Sequence, residues 1–175
     1  MTPDIKKILY ATDLSPNSAY VLRFALNSAK LLHAEIIILH VFDLPYHGFA
    51  PMLDIYFDGK EQKMIYEERA AEARARIGKR LKLVYDEELR GNPNYRDIVQ
   101  SIEVCEGFAA ERILGMADEF AGDMIIMGTH GKGIVSNTFL GSTAKRVLRR
   151  TRKPIYIIPL PKEQSNITIQ DEIAA

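Results

Sequence analysis

Ile5-Lys6-Lys7-Ile8-Leu9-Tyr10-Ala11-Thr12-Asp13-Leu14-Ser15-Pro16 (residues 5–16) places one strand and the start of one helix side by side. Ile5 to Thr12 is nearly continuously apolar from Ile8 onward, the pattern of a strand buried on both faces of a sheet rather than on one. Ser15-Pro16 then reads as an N-cap followed by proline at the first helical position. The helix it opens runs to about Leu32 and carries Leu22, Ala25, Leu26 and Ala29 on one face.

The same alternation continues outward. Glu35 to Phe42, with Ile36-Ile37-Ile38-Leu39-His40-Val41 inside it, is a second buried strand. Asp43 to Asp58 holds Pro45, Gly48 and Pro51 and reads as a long irregular loop. Gly59 to about Val84 is helical, with Tyr66, Ala70, Ala73, Ile77, Leu81 and Val84 as its apolar stripe and its many charges as a solvated face. Asp86 to Asp97 is a polar connection with Asn92-Pro93-Asn94 as its turn signal. Ile98 to Val104 is a third strand, less apolar and nearer an edge. Gly107 to Phe120 is a third helix facing inward through Ala109, Ala110, Ile113 and Ala117. Asp123 to Met127 is a fourth strand, Gly128 to Leu140 a glycine-containing loop, Gly141 to Arg150 a fourth helix, and Pro154 to Leu160 a fifth strand.

Strands alternating with helices predict an α/β fold with a parallel sheet. Right-handed crossovers favour a single doubly wound five-stranded sheet of order 3-2-1-4-5 with helices on both faces, flavodoxin- or Rossmann-like. The winding of such a sheet reverses between the first and fourth strands, and ligands bind at the carboxyl ends there. That crevice gathers Ala11, Thr12 and Asp13, the chain from Met127 and Gly128 onward, and Val41 beside them. The expected organisation is one domain over residues 1–161 and a polar tail over residues 162–175.

Composition narrows the function classes. The chain has 175 residues, 47% of them hydrophobic and 26% charged. A chain of that length buries roughly 70% of its unfolded surface and needs neither disulfide nor metal to fold. Lys+Arg and Asp+Glu both number 23, so no charge excess points to nucleic acid or an anionic membrane. Cys105 is the single cysteine; it has no intramolecular disulfide partner and reads as a small packing residue. Neither a signal-peptide core nor a run of roughly 20 apolar residues is present, so a cytoplasmic location is the expectation. His33 and His47 lack metal-ligand spacing, and His40, inside a strand, reads as a satisfied core histidine. The basic run from Lys145 to Lys153 reads as the last turn of a helix favoured by its dipole.

The chemistry concentrates after the fourth strand, in Met127-Gly128-Thr129-His130-Gly131-Lys132-Gly133-Ile134-Val135-Ser136-Asn137-Thr138-Phe139-Leu140-Gly141-Ser142-Thr143. Its glycines permit close backbone approach to a ligand. The helix that follows presents free N–H groups and the positive end of its dipole, which favour phosphate. Ser142 and Thr143 add hydroxyls, and Lys132 a mobile positive charge. A glycine-rich turn that only connects strand to helix is the alternative. There is no G-x-x-x-x-G-K-(S/T), so the segment is not a P-loop. Gly131 to Ser136 is a near miss to G-x-G-x-x-G but follows the fourth strand rather than the first, which argues against an NAD enzyme.

Gly128-x-x-Gly131, nine residues, then Gly141-Ser142 resembles the G-2x-G-9x-G-(S/T) signature of ATP-binding universal stress proteins. Ile8-Leu9-Tyr10-Ala11-Thr12-Asp13, the stretch from Gly107 to Gly131, and Lys153-Pro154-Ile155-Tyr156-Ile157-Ile158-Pro159 look like other segments of that family, so the resemblance spans about Ile5 to Pro161. It implies an ATP-binding regulatory module, with AMP or ADP as other ligands. Asp13 would lie at the ribose and the Val41 backbone at the adenine edge. Gly128, Gly131, Gly141, Ser142 and Thr143 would hold the phosphates, which Mg2+ or Mn2+ could bridge. Ala11, Thr12, Met127, Thr129, Lys132 and Gly133 complete the candidate lining. The resemblance also implies a homodimer through the last strand, Pro154 to Pro159, an apolar edge suited to pairing. The downstream protein partner is unspecified.

Asp13 could instead simply cap the turn before the first helix, and Thr12 could serve the same turn. No Ser-His-Asp set, carboxylate pair or cysteine–histidine signature stands out for fast catalysis, so slow metal-assisted hydrolysis is the enzymatic ceiling of the leading reading. A nucleotide-independent dimeric adaptor and a true ATPase or nucleotidyl-transfer enzyme are the competing readings.

Overall fold

The structure, a computed structural model, describes residues 4–15, 18–42, 59–88, 97–129 and 140–159. Five strands, β1 (Lys7–Thr12), β2 (Glu35–Phe42), β3 (Val99–Glu106), β4 (Met124–Gly128) and β5 (Ile155–Ile158), alternate with helices α1 (Ser18–Leu32), α2 (Gly59–Glu88), α3 (Ala109–Glu119) and α4 (Ser142–Arg150). All strand pairs are parallel and the order is β3-β2-β1-β4-β5. The expected doubly wound α/β sheet with strand order 3-2-1-4-5 is the one observed.

Period-two alternation sorts the strand side chains onto the two faces. Ile8, Tyr10, Ile36, Ile38 and Ile126 pack with α1 and with Ala70, Ala73, Ile77 and Leu81 of α2. Leu9, Ala11, Ile37, Leu39, Ile125 and Met127 pack with Ala110, Ile113 and Ala117 of α3 and Ala144 and Val147 of α4. Burying strands on both sides explains why β1 and β2 lack a polar alternation. Each fully buried Ile or Leu contributes about 2 kcal/mol of transfer free energy.

Element bounds differ from the sequence reading where apolar pattern is a poor guide. β1 begins at Lys7 rather than Ile5; just before it, the Lys6 and Lys7 amides both donate to Asp123 Oδ2 at 2.9 Å. β3 runs to Glu106, two residues past Val104, because Cys105 and Glu106 pair with Val41 and Phe42. α2 continues to Glu88 rather than about Val84; Tyr85-Asp86-Glu87-Glu88 contains no glycine or proline to stop it. Gly128 ends β4 instead of opening the loop, and Gly141 is the N-cap of α4 rather than its first residue. The described part of α1 starts at Ser18, and the Pro16 expected at its first position lies outside the described residues.

The sheet ends at β3 on one side and β5 on the other. The third strand, expected nearer an edge, is that edge. Among the described residues no helix is long and apolar enough to cross a membrane.

Candidate functional site

Parallel pairing brings the carboxyl ends of β1, β2 and β4 to one edge of the sheet. Ala11 is in register with Leu39 on one side and Met127 on the other, and Thr12 with His40. From β1 the chain winds outward to β2 and β3, then returns across to β4 and β5, so the reversal falls between β1 and β4. In doubly wound sheets this is where ligand crevices form, because the connections leave in opposite directions.

The turn after β1 is tightly determined. Thr12, buried, accepts the Leu14 N–H on Oγ1 at 3.2 Å. Asp13 accepts the Ser15 N–H at 3.1 Å and the Ser15 hydroxyl at 2.8 Å, both on Oδ1. Asp13 Oδ2 is buried and has no hydrogen-bond partner among the described residues. Asp13 therefore does cap the turn, as its simpler reading held, but with one oxygen; the second is left over. Leu14 takes a left-handed φ of 59° with its side chain buried, a conformation costing about 1 kcal/mol for a residue with a Cβ.

Beneath the turn lies a polar cluster inside an otherwise apolar layer. Tyr10 is buried and donates its hydroxyl to Ser18 O at 2.7 Å. Burial pushes its phenol far above the ordinary tyrosine range, so it stays neutral. Arg80 of α2, only 6% exposed, donates to Leu14 O at 2.9 Å and to Ser18 Oγ. Arg76 reaches the same Leu14 carbonyl at 3.4 Å. Burial lowers the proton affinity of Arg80, while the charge of Asp13 works in the opposite direction. The sequence reading placed the α2 charges on a solvated face and so missed Arg80. A signal existed: Ala73, Ile77, Arg80 and Val84 follow the helical stripe at steps of four, three and four, so Arg80 occupies an inward position.

On the β4 side, the Thr129 amide donates to Ile158 O at 3.1 Å and its carbonyl accepts the Gly141 N–H at 2.7 Å. This ties the strand end to the start of α4. Gly141 is an extended N-cap with no side-chain cap bond, and no acidic residue stands in the first turn. Glycine has no side-chain oxygen to offer the amides of Ser142, Thr143 and Ala144, and no acidic residue of the first turn offsets the positive end of the dipole. An anion suits that position. Val41 holds its place in the β2–β3 ladder opposite Cys105. His40, 2% exposed, donates from Nδ1 to Thr12 O at 2.8 Å; it is a satisfied core histidine that braces the end of β1.

Ala11, Thr12, Asp13, Val41, Met127, Gly128, Thr129, Gly141, Ser142 and Thr143 thus all lie on the carboxyl-end side of the sheet or at the α4 N-terminus. Gly131, Lys132 and Gly133, also assigned to the candidate site, lie outside the described residues, as does His130. The arrangement offers an acceptor just after β1 and hydrogen-bond donors at the start of α4, the helix that follows the neighbouring strand β4.

A sequence model of the universal stress protein family matches residues 4–159. The universal stress protein MJ0531 of Methanocaldococcus jannaschii is 28% identical over 159 residues, covering 91% of this chain and 85% of that protein. Among solved structures, the protein MJ0577, a universal stress protein of the same organism, superposes with a TM-score of 0.67 at 25% identity, over 91% of this chain and 99% of that one. A universal stress protein solved in complex with cAMP shares the fold at a TM-score of 0.51 and 20% identity, over 90% of this chain and 98% of that one.

Proposed function

The chain belongs to the universal stress protein family, and on that premise we propose that it is an adenine-nucleotide-binding regulatory module, with ATP as its leading ligand. The observation that carries this reading is the pairing of two unmet needs across the β1–β4 crevice. Among the described residues Asp13 Oδ2 is a buried acceptor without a donor, and the α4 N-terminus is a set of donors without a side-chain cap. A nucleotide answers both: ribose hydroxyls donate to a carboxylate, and phosphate oxygens accept from helix amides. A relative of the same fold is complexed with cAMP, a ligand of this chemical class.

In this reading Asp13 orients the ribose and the Val41 backbone meets the adenine edge. Thr129, Gly141, Ser142 and Thr143 line the phosphate side together with Gly128, Gly131, Lys132 and Gly133. Ala11, Thr12 and Met127 form the floor. The phosphate side would admit Mg2+ or Mn2+ together with the nucleotide, and the cation would offset the phosphate charge. In this reading the residues of the site bind and orient the nucleotide, and binding rather than turnover is the proposed activity.

The module would act as a homodimer through β5. Its outer edge is unpaired among the described residues, and Tyr156 on it is exposed. Such an edge pairs readily with a second copy, and Tyr156→Lys should shift the sedimentation coefficient to that of a monomer.

The direct test is the nucleotide content of freshly purified protein, read by chromatography after denaturation, and calorimetric titration with ATP, ADP and AMP in Mg2+ or Mn2+. Bound or titratable adenine nucleotide, lost in Gly141→Val protein, is the expected result. A parent that neither carries nor binds any of the three overturns the proposal and favours a nucleotide-independent adaptor.

A further inference from the structure

We infer that Arg80, on α2 and far in sequence from the turn after β1, is a positioning residue that aims the Asp13 carboxylate by clamping the Leu14–Ser15 peptide from behind. The inference rests on the reading of Asp13 as a nucleotide contact and adds a residue and a route to it.

The Leu14 carbonyl and the Ser15 N–H belong to one planar peptide unit. The oxygen end of that plane is held by Arg80 at 2.9 Å and Arg76 at 3.4 Å. The nitrogen end is held by Asp13 Oδ1 at 3.1 Å. Rotating the plane breaks both attachments together. Leu14 is the residue with reason to rotate, since its φ of 59° is uphill for leucine. Arg80 keeps it there, and a guanidinium on the carbonyl polarises the peptide and strengthens the N–H that Asp13 accepts. With Oδ1 fixed, Oδ2 has a single orientation, the buried one in which it meets no partner among the described residues.

Arg80 is itself held for this task. Its other terminal nitrogen meets Ser18 Oγ, and Ser18 Oγ in turn donates to Ser15 O at 2.8 Å. Its buried Nε is unpartnered among the described residues. A buried cation spent on a neutral carbonyl is an expensive way to fasten a helix, and the apolar stripe of Ala70, Ala73, Ile77 and Leu81 already fastens α2. What the cation adds is fixed geometry at the turn.

Arg80→Met fills similar volume without donors, and Arg80→Lys returns the charge and one donor. Hydrogen exchange of the ligand-free proteins reads the turn directly: in Arg80→Met the Leu14 and Ser15 amides should exchange about tenfold faster or more, while the β1 amides of Leu9 and Tyr10 keep their protection. Titration with ATP should show affinity lowered about tenfold, partly restored in Arg80→Lys, and non-additive with Asp13→Asn, since both changes act on one peptide. A purely structural arginine would move global stability and leave the coupling with Asp13→Asn at zero. Unchanged exchange at Leu14 and Ser15 overturns the inference. A loosened turn with parental ATP affinity overturns its link to binding. A parent that binds no nucleotide defeats the functional reading of the site, and the exchange of the two amides still decides whether Arg80 positions the turn.

Discussion

Replacing Asp13 with asparagine separates the two roles its carboxylate can play. The amide oxygen can still accept from the Ser15 N–H and hydroxyl, now 3.1 and 2.8 Å from Oδ1, so the turn after β1 survives. The change falls on the other atom: Oδ2, buried and unpartnered among the described residues, becomes an NH2 group. Where a ligand hydroxyl donated to a carboxylate it now meets a donor. A hydrogen bond to a charged group is worth about 1.5–3 kcal/mol, so the affinity for ATP should fall about 10- to 150-fold at roughly 1.4 kcal/mol per decade. Flipping the amide does not rescue binding, because it sets NH2 against the Ser15 N–H and sacrifices the turn instead. Folding of the ligand-free protein should change by less than about 1 kcal/mol, because the bonds to Ser15 are kept. Isothermal calorimetry with ATP gives the first quantity and urea unfolding the second. Asparagine protein with ATP affinity within about twofold of the parent would refute the argument, reducing Asp13 to a turn cap.

Three further outcomes are expected. Asp123, hydrogen-bonded by the Lys6 and Lys7 amides, has its carboxyl held below the ordinary aspartate range; a depressed folded-state value means its contribution is present above the unfolded pKa near 4 and is lost as pH falls through the folded value. Unfolding titrations between pH 5 and pH 3 should therefore show a stability loss that is smaller in Asp123→Asn, and identical slopes would contradict this. Gly107 sits at φ +134° with the position of a Cβ 3.3 Å from Arg112 Cγ, so Gly107→Ala should destabilise by about 1–3 kcal/mol in chemical unfolding. Cys105 is 8% exposed and burial raises its thiol pKa; it should react with a thiol reagent only as fast as the protein opens, with addition of denaturant accelerating the reaction.

Much of the architecture could be read from residues 5–16 and their repetitions along the chain. Continuous apolar runs such as Ile36 to Leu39 have one stable home, a strand covered on both faces, and helices must supply the cover. Right-handed crossovers then leave few strand orders. Strand ends were less legible: Cys105 and Glu106 are strand residues because Val41 and Phe42 lie beside them, a fact about a neighbour rather than about their own side chains. The end of α2 was obscure for a related reason, since a helix without a stop signal continues through polar residues as readily as apolar ones.

The candidate site divides along the same line. Its outline followed from sequence, because the spacing of Gly128 and Gly141 and the position of Asp13 after a buried strand are local chemistry placed by a regular fold. Its inner workings did not. That Asp13 spends one oxygen on Ser15 and keeps the other depends on the left-handed turn at Leu14, and that turn depends on Arg80, 66 residues away. Periodicity reports which face of a helix turns inward; it does not report which buried carbonyl awaits an arginine there. Only packing α2 against β3 and α1 brings that cation to that peptide, because hydrogen bonds act over about 3 Å and no pattern along the chain encodes so short a distance between residues so far apart.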